Sequence, residues 1–223
     1  MVMYDFERDG MVHFPNACSK EELVQIEIAL AGIASDAAGV RLHGVPALAG
    51  SFAGEGCIGQ AAVSLIGADA RPVRAILFDK NEATNWNLGW HQDRTIVVKR
   101  RIEVSGFGPW TLKAGLQHVT PPIEILGEMI TLRLHIVGVD EHNAPLMVAK
   151  GSHRFGRIAE PDIPDIVAQS EISYCLAERG DIWAYSTPIL HASESATRPN
   201  RRRVLQVDYA AVSLPGGLEW MGV

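Results

Sequence analysis

Two side chains that commonly bind metals stand two residues apart in the stretch Trp90-His91-Gln92-Asp93. On an extended strand, residues i and i+2 point to the same face, so His91 and Asp93 could share one metal ion. This pair alone is a weak signal, because the spacing arises easily by chance and an isolated histidine is more often structural. A third ligand from elsewhere in the chain is needed to make it specific.

His191 is the best candidate for that third ligand, since it comes just after a run at 181–186 that predicts a strand. Two histidines and one carboxylate on one face form a facial triad, which leaves coordination positions open for a bidentate co-substrate and O2. Iron(II) favours this arrangement. The sequence therefore predicts an iron site at His91, Asp93 and His191.

A basic residue follows the last histidine at a useful distance. Arg202 stands eleven positions after His191, at the start of a predicted strand at 202–210. Its guanidinium could hold a carboxylate of the co-substrate 2-oxoglutarate by a bidentate pair. Three consecutive arginines, Arg201 to Arg203, leave the register open, because one step along a strand turns a side chain to the other face. The spacing to His191 favours Arg202.

The elements that must position these residues fall into two parts. Ser19 and Glu22 form the pattern of a capping box, which predicts a helix from about 20 to 34. A Gly- and Ala-rich stretch at 36–56 is predicted to be a loop, with a short helix after Pro46, and it is a candidate lid. From Val73 onward, short β-branched and apolar runs separated by turn residues predict strands. These runs are 73–78, 94–99, 129–137, 145–149, 171–176, 181–186 and 202–210.

A chain of 223 residues fits one domain, here mostly helical over 1–70 and a jelly-roll core over 71–223. The net charge of −6 and the pI of about 5.7 give no reason to expect nucleic acid or a membrane as partner. The acidic N-terminus does not resemble a signal peptide, and three well-separated cysteines argue against a disulfide framework. We therefore expect a cytoplasmic protein; the oligomeric state is not indicated.

Four stretches together resemble the phytanoyl-CoA dioxygenase family of 2-oxoglutarate oxygenases. They are residues 6–12 with the capped helix after them, the segment 78–93 that ends in Trp-His-Gln-Asp, the stretch 144–154, and residues 179–202 with their last histidine and arginine. The third is similar to the family's "GPLxxxPGSHR" element, but Ala144 and Lys150 stand where the family usually has Gly and Pro. Together these stretches cover almost the whole chain.

The resemblance implies a mainly β fold with flanking helices, a cupin-like double-stranded β-helix with the metal between its two sheets. It implies iron(II) held by His91, Asp93 and His191, with 2-oxoglutarate and O2 as co-substrates. Arg202 matches the family's 2-oxoglutarate anchor, and Ser193 is expected to add a hydrogen bond there. Halogenating relatives lack the carboxylate that Asp93 provides, so the resemblance favours hydroxylation of an unactivated C–H bond of a small molecule, with release of succinate and CO2. Desaturation and ring chemistry stay open as alternatives.

Other residues are candidates for anion or substrate contacts. Arg133, on a predicted strand, would need an anion if buried, either the co-substrate or a substrate carboxylate or phosphate. His135 is the reserve ligand, and residues 107–122 are expected to cap the site. Further substrate candidates are the polar residues Arg74, Lys80 and Asn85 and the tryptophans Trp86, Trp90 and Trp183, each tryptophan being more often core filling.

Two alternative functions stay open at this stage. A cupin-like metal-binding protein, or a zinc or manganese hydrolase or isomerase, would use the same three ligands without 2-oxoglutarate, but would give Arg202 no role. A catalytically silent relative would have no chemical need for all four residues. No motif selects the substrate, although the compact chain favours a small polar molecule or a natural-product intermediate over a long acyl thioester.

Overall fold

The computed structural model describes residues 4–33, 39–80, 85–198 and 200–223. The helices in these ranges are α1 (Phe6–Asp9), α2 (Lys20–Ala29), α3 (Ala49–Phe52), α4 (Cys57–Ile66), α5 (Ile123–Gly127) and α6 (Ile163–Gln169). The strands are β1 (Met11–Phe14), β2 (Val40–Leu42), β3 (Arg71–Lys80), β4 (Leu88–His91), β5 (Ile96–Val98), β6 (Trp110–Lys113), β7 (Leu116–Val119), β8 (Met129–His135), β9 (Leu146–Ala149), β10 (Ile172–Cys175), β11 (Ile182–Ser186), β12 (His191–Ser193) and β13 (Arg202–Ala210). Each of the seven predicted runs overlaps one of these strands.

The strands form two large antiparallel sheets and one small one. The six-stranded sheet has the order β1-β11-β8-β13-β3-β2, and the four-stranded sheet has the order β10-β9-β12-β4. A cluster of buried side chains that includes Trp183 and Tyr185 from β11 and Leu146 and Val148 from β9 joins the two. This is the predicted jelly roll, with the two sheets facing each other.

The central strands of the six-stranded sheet are buried on both faces. Their apolar side chains lie mainly on one face of the sheet and their polar side chains on the other. On β13, Leu205, Val207 and Tyr209 pack against the helices, while Gln206 and Asp208 point between the two sheets. Strand β8 follows the same alternation, as period-two geometry requires. The space between the sheets therefore contains polar side chains next to the apolar cluster of β9 and β11, and a larger apolar core lies on the outer face.

Helices α2, α3 and α4 cover that outer face. The capping box is present at the start of α2: the Ser19 hydroxyl accepts from the Glu22 amide, and the Glu22 carboxylate accepts from the Ser19 amide. The helix ends at Ala29, earlier than predicted, and residues 34–38 lie outside the described ranges. The expected short helix after Pro46 is present as a 3-10 turn, Pro46–Leu48, followed by α3.

Two stretches predicted as loops contribute strands. Part of the candidate lid at 36–56 is strand β2, which pairs with β3 at the edge of the six-stranded sheet, so this part is not a free lid. Much of 107–122 is the hairpin of β6 and β7, which joins β5 in the three-stranded sheet. These strands have only three or four residues each, so they contain too little alternation for the sequence pattern to reveal them.

The prediction that the cysteines form no disulfide is wrong, because a disulfide bond joins Cys18 to Cys57. Cys18 precedes α2 and Cys57 begins α4, and both belong to the core cluster under these helices. Packing brings their Cα atoms within 5.1 Å despite 39 residues of separation. The cysteine argument for a reducing compartment therefore no longer holds. Among the described residues, no helix has the length and apolar character that crossing a bilayer requires.

Candidate metal centre

The two histidines meet because of strand pairing. His91 ends β4 and His191 begins β12, and the register of these antiparallel strands places them directly opposite each other. Their ring centroids lie 4.3 Å apart. Asp93 follows β4, and one ligand atom from each of the three side chains lies within 4.8 Å of the others. Three groups this close, from two strands of one sheet, can hold one metal ion on a single face.

Hydrogen bonds prepare both imidazoles for a metal. In each ring, Nδ1 donates to the carbonyl two residues earlier, His91 to Gly89 at 2.8 Å and His191 to Ile189 at 3.0 Å. A carbonyl only accepts, so the proton is on Nδ1 and the lone pair is on Nε2. Burial, with the neighbouring His91, lowers the pKa of His191 to about 4. The buried ring is therefore neutral at physiological pH, as a metal ligand must be.

Asp93 is kept ionised by a buried arginine. Burial opposes its charge, but Arg74 and the nearby histidines hold the pKa of the carboxyl below its usual value. The Arg74 Nη2 donates to Asp93 Oδ2 at 3.2 Å, while its Nε donates to Asp208. Arg74 therefore orients the Asp93 carboxylate through Oδ2, and Oδ1 is available to a metal.

The contact between Arg74 and Asp208 extends into a longer network. Asp208 Oδ1 accepts from Gln206 Nε2 at 3.3 Å, and Gln206 Oε1 accepts from Arg133 Nη1 at 2.9 Å. A continuous chain of buried hydrogen bonds thus runs from Asp93 to Arg133. Such connected polar groups fix one another's orientation in a low-dielectric interior.

The Arg74→Gln variant is expected to bind iron(II) about 10- to 100-fold more weakly, the usual cost of losing a residue that orients a metal ligand. It should also lose about 3–5 kcal/mol of stability, because Asp208 is left buried without its cation. Arg74→Gln combined with Asp208→Asn is the matched control, since it removes both charges and should regain stability without regaining iron affinity. Chelator competition and thermal unfolding measure the two effects. Wild-type iron affinity in Arg74→Gln would show that Arg74 has only a structural role.

Gln92, between the ligands His91 and Asp93, holds this stretch of backbone in place by hydrogen bonds to two other segments. Its Nε2 donates to the carbonyls of Gly156 at 2.8 Å and Pro188 at 2.6 Å, and its Oε1 accepts from the Ile158 amide at 3.0 Å. The side chain is buried and points away from the metal ligands, as expected from strand alternation. It ties the segment of His91 to the turn that precedes α6.

The Gln92→Leu variant should unfold with a free energy about 2–4 kcal/mol below that of the wild type, because three buried backbone groups lose their partner. Gln25→Leu, at an exposed position of α2, is the control and should change stability by less than about 0.5 kcal/mol. Urea titration followed by circular dichroism compares them. Equal stability of the two variants would contradict this role.

A cavity of about 110 Å³, here called the inner cavity, lies between the two large sheets beside the three ligands. This is well below the roughly 300–1,000 Å³ of sites for drug-sized ligands, and it suits a small co-substrate. It is lined by His91, Asp93 and His191, by Arg133, Arg202, Gln206 and Ser193, and by apolar residues that include Ile76, Phe78 and Trp86.

The inner cavity holds an excess of positive charge. Arg133 and Arg202 are both buried, Lys80 lies close by, and none of them forms an ion pair with a carboxylate among the residues that the structure describes. Burial, and then the neighbouring Arg133, lower the pKa of Arg202 to about 9; burial, then Arg202 and Arg133, lower the pKa of Lys80 to about 7. Crowded cations without acids are the expected signature of an anion site.

Several donors in this region also lack partners. The Nε atoms of Arg133 and Arg202 are buried without a hydrogen bond. Arg202 Nη1 donates to the Ala144 carbonyl and lies 3.4 Å from Ser193 Oγ. Unsatisfied buried donors are rare in folded proteins, so these atoms are expected to meet a bound acceptor. A dicarboxylate would supply such acceptors.

A second, larger cavity opens on the other side of the same ligands. It has a volume of about 870 Å³ and is called here the outer cavity. His91 and Asp93 line both cavities, so a molecule in either one reaches the candidate metal position. The outer cavity is lined by residues 90–95, by Lys113, and by Glu160, Ile163, Pro164, Val167 and Ala168 around α6.

Residues 6–204 match the model of the phytanoyl-CoA dioxygenase (PhyH) family. The chain belongs to this family. The family uses iron(II) and 2-oxoglutarate, and its members act on small molecules. The triad and the cationic inner cavity fit these cofactors, and the chain is an enzyme of the iron(II)- and 2-oxoglutarate-dependent class. No curated protein matches the chain significantly.

Solved structures resemble this PhyH protein in fold. AviO1 from Streptomyces viridochromogenes Tue57 is 16% identical with a TM-score of 0.64, over 95% of this chain and 94% of its own. The epimerase SnoN from nogalamycin biosynthesis is 14% identical with a TM-score of 0.64, over 92% and 77%. EctD from S. alaskensis, solved with 2-oxoglutarate and 5-hydroxyectoine, is 16% identical with a TM-score of 0.61, over 93% and 74%. These likenesses show the shared jelly-roll fold.

Alternation along β13 separates the three arginines. Arg202 points into the inner cavity, whereas Arg203 points to the helices and donates to the Leu30 carbonyl at 2.9 Å. Arg201 pairs with Asp79. Of these three arginines, the structure therefore places Arg202 in the inner cavity beside the three candidate ligands.

The departure from the PhyH motif at position 144 also has a structural explanation. Ala144 adopts a left-handed backbone with φ of 53°, a conformation that favours Gly. Its carbonyl accepts from both Arg202 and Ser193. The family usually has Gly at this position because the left-handed backbone that points this carbonyl at Arg202 and Ser193 favours Gly.

Three of the six substrate candidates have other partners in the structure. Arg74 is held by Asp93 and Asp208 and faces neither cavity. Asn85 exchanges hydrogen bonds with the backbone of Ala196. Trp183 is core: it stacks on His13 with a centroid distance of 4.5 Å and donates to the Leu176 carbonyl. These three side chains therefore have partners that the sequence does not reveal, and their roles as substrate contacts stay predictions.

The other candidates stay near the site. Trp90 lines the outer cavity and Trp86 the inner one. Lys80 lies over the Trp86 ring, with Nζ 4.6 Å from its centroid, and approaches Ser193 at 3.4 Å. His135, the reserve ligand, is buried outside the three-residue metal group. Sequence reasoning missed Gln206 and the wall provided by α6, although strand alternation on 202–210 placed Gln206 on the face of Arg202.

Proposed function

We propose that this chain hydroxylates an unactivated C–H bond of a small molecule, with iron(II) held by His91, Asp93 and His191. The observation that carries the proposal is that two cavities of different size and charge meet at His91 and Asp93, and that His191 completes the group from the side of the inner cavity. One suits a small dianion and the other a larger substrate. Bound iron(II) with 2-oxoglutarate supplies the oxidising chemistry: substrate, O2 and 2-oxoglutarate give hydroxylated substrate, succinate and CO2.

The residues of the inner cavity would bind and orient the co-substrate. Arg202 faces the cavity with an unsatisfied Nε, and Ser193 lies next to it, so these two are proposed to hold the distal carboxylate. Arg133, fixed by Gln206 and stacked over Phe78, supplies a second cation. Two guanidinium groups match the two carboxylates of 2-oxoglutarate in charge. Holding a co-substrate in one orientation removes much of the entropic cost of its reaction.

The co-substrate and the substrate would bind in separate cavities on either side of the metal ligands. The inner cavity lies between the sheets and the outer cavity lies under α6, so the substrate approaches from the side of His91 and Asp93. Asp93 occupies the position that its halogenating relatives leave without a carboxylate, which favours hydroxylation. Burial of the site excludes water, and the protein's part is binding, orientation and this exclusion.

Isotopically labelled O2 tests the proposal. Hydroxylation places one labelled oxygen atom in the product and the other in succinate, which mass spectrometry of both molecules detects. SnoN is named an epimerase and SnoK a carbocyclase, and those reactions would label succinate but leave the organic product without labelled oxygen. Turnover of a substrate with label in succinate alone would overturn hydroxylation. Turnover without succinate would overturn the whole assignment.

A further inference from the structure

The outer cavity has an apolar wall formed by one side of α6. Pro164, Val167 and Ala168 stand at positions i, i+3 and i+4 of this helix, which places them on one face. They line the cavity, and Pro164 and Ala168 are exposed there instead of being buried against protein. Ile163, on the same helix, packs into a cluster with Leu190 that fixes the helix beside β12. The apolar wall is therefore held firmly and faces the candidate metal position.

Besides the candidate ligand Asp93, three charged side chains line the outer cavity: Arg94, Lys113 and Glu160. Arg94 donates to the Ile158 carbonyl at 2.7 Å and lies 3.7 Å from the Glu160 carboxylate, so these two charges offset each other. Lys113, at the end of β6, is exposed and has no ion-pair partner within the described ranges. One uncompensated positive charge thus stands at the rim of a mainly apolar site.

We propose that the outer cavity binds a drug-sized, mainly apolar molecule with a single anionic group, whose body packs on α6 and whose anion meets Lys113. A volume of about 870 Å³ falls within the roughly 300–1,000 Å³ of sites for such ligands. A small zwitterion would leave most of the wall in contact with water. A coenzyme A thioester carries several phosphate charges, which one lysine does not match. This inference rests on the proposed function, since it names the substrate class of that site.

Binding of 8-anilinonaphthalene-1-sulfonate, a monoanionic aromatic molecule, tests the inference on anaerobic protein loaded with iron(II) and 2-oxoglutarate. The probe's fluorescence should rise on binding, and dodecanoate should displace it. Val167→Asp or Ala168→Asp puts an unpaired charge on the apolar wall and should weaken binding by about tenfold or more. Lys113→Gln should weaken it by about twofold to fivefold, the size expected for an exposed ion pair.

Matched controls show whether a change in probe binding comes from the apolar wall or only from the change in charge. Gln169→Asp adds the same charge to an exposed position of α6 outside the cavity lining, and Lys20→Gln removes the same charge from the start of α2. Both should bind the probe like the wild type. Equal binding by Ala168→Asp and Gln169→Asp would overturn the inference. Displacement by coenzyme A or by glycine betaine as readily as by dodecanoate would also overturn it.

The same samples report separately on the proposed function. The visible charge-transfer band of the iron(II) chelate in the anaerobic samples, and the slow formation of succinate without substrate after O2 is admitted, depend on the inner cavity and the metal ligands. If both persist while the α6 variants bind the probe normally, the substrate class is wrong and the proposed function stands. If both are absent while probe binding responds to the α6 variants, the iron assignment fails and the amphiphile site stands.

Discussion

The His191→Ala variant is expected to bind iron(II) at least about a hundredfold more weakly than the wild type, and to form no detectable succinate. Loss of a residue that only orients a ligand already costs about 10- to 100-fold, and His191 is proposed to be a ligand itself. Its Nε2 lone pair lies opposite that of His91, and no other histidine belongs to this group in the described part of the chain. Iron content after gel filtration, together with succinate assay, measures the effect.

His135→Gln is the control for this variant. His135 is also buried and also lies on a strand of the jelly roll, but it is outside the metal group. Its replacement should leave iron stoichiometry unchanged. Circular dichroism shows whether each variant is folded. Normal iron binding by a folded His191→Ala protein, or its loss in a folded His135→Gln protein, would contradict the ligand assignment.

The Arg202→Gln variant is expected to need far more 2-oxoglutarate than the wild type. Removing one partner of a buried, hydrogen-bonded charge pair costs about 2–5 kcal/mol, which corresponds to roughly 30-fold to 5,000-fold weaker binding. The same change should leave the ligand-free protein as stable as before or more stable, because it removes a buried cation that has no carboxylate partner among the described residues. A loss of 2-oxoglutarate affinity without a loss of stability identifies Arg202 as part of an anion site. An arginine with only a structural role would lower the stability when replaced.

Arg201→Gln is the matched control. Arg201 is adjacent in sequence and pairs with Asp79, which Arg203 also contacts, and its side chain is 57% exposed. Its removal should alter 2-oxoglutarate affinity less than about fivefold, as expected for an exposed ion pair. Calorimetric titration of 2-oxoglutarate into anaerobic iron-loaded protein compares the variants. Equal affinity in Arg202→Gln and wild type would remove Arg202 from the co-substrate site.

Much of the fold could be predicted from local patterns. The capping box at Ser19 and Glu22 predicted the start of α2, and runs of β-branched and apolar residues predicted seven of the strands. Strands β2, β4 and β12 have only three or four residues, and their existence depends on a partner distant in sequence. The disulfide between Cys18 and Cys57 depends in the same way on helix packing, which the cysteine spacing does not contain.

In the candidate site, too, some residues could be identified from the sequence and others depend on strand pairing between distant segments. The spacing of His91, Asp93, His191 and Arg202 was sufficient to select the four residues that the structure brings around the inner cavity. The role of Arg74 could not be predicted, because its partner Asp208 is 134 residues away and only the pairing of β3 with β13 brings them together. Trp183 could not be placed either, since an aromatic on a central strand packs against either the core or a ligand and the sequence does not say which.

Anaerobic titration of the metal-free protein with iron(II) and then 2-oxoglutarate tests the central claim most directly. The proposed site predicts a visible charge-transfer band that rises with 2-oxoglutarate and saturates at one equivalent of iron. The band should be absent in His91→Ala, because the chelate forms only where the three ligands hold the metal. If the folded wild-type protein binds iron but shows no band at saturating 2-oxoglutarate, the account is contradicted, and a metal protein without 2-oxoglutarate chemistry becomes the better explanation.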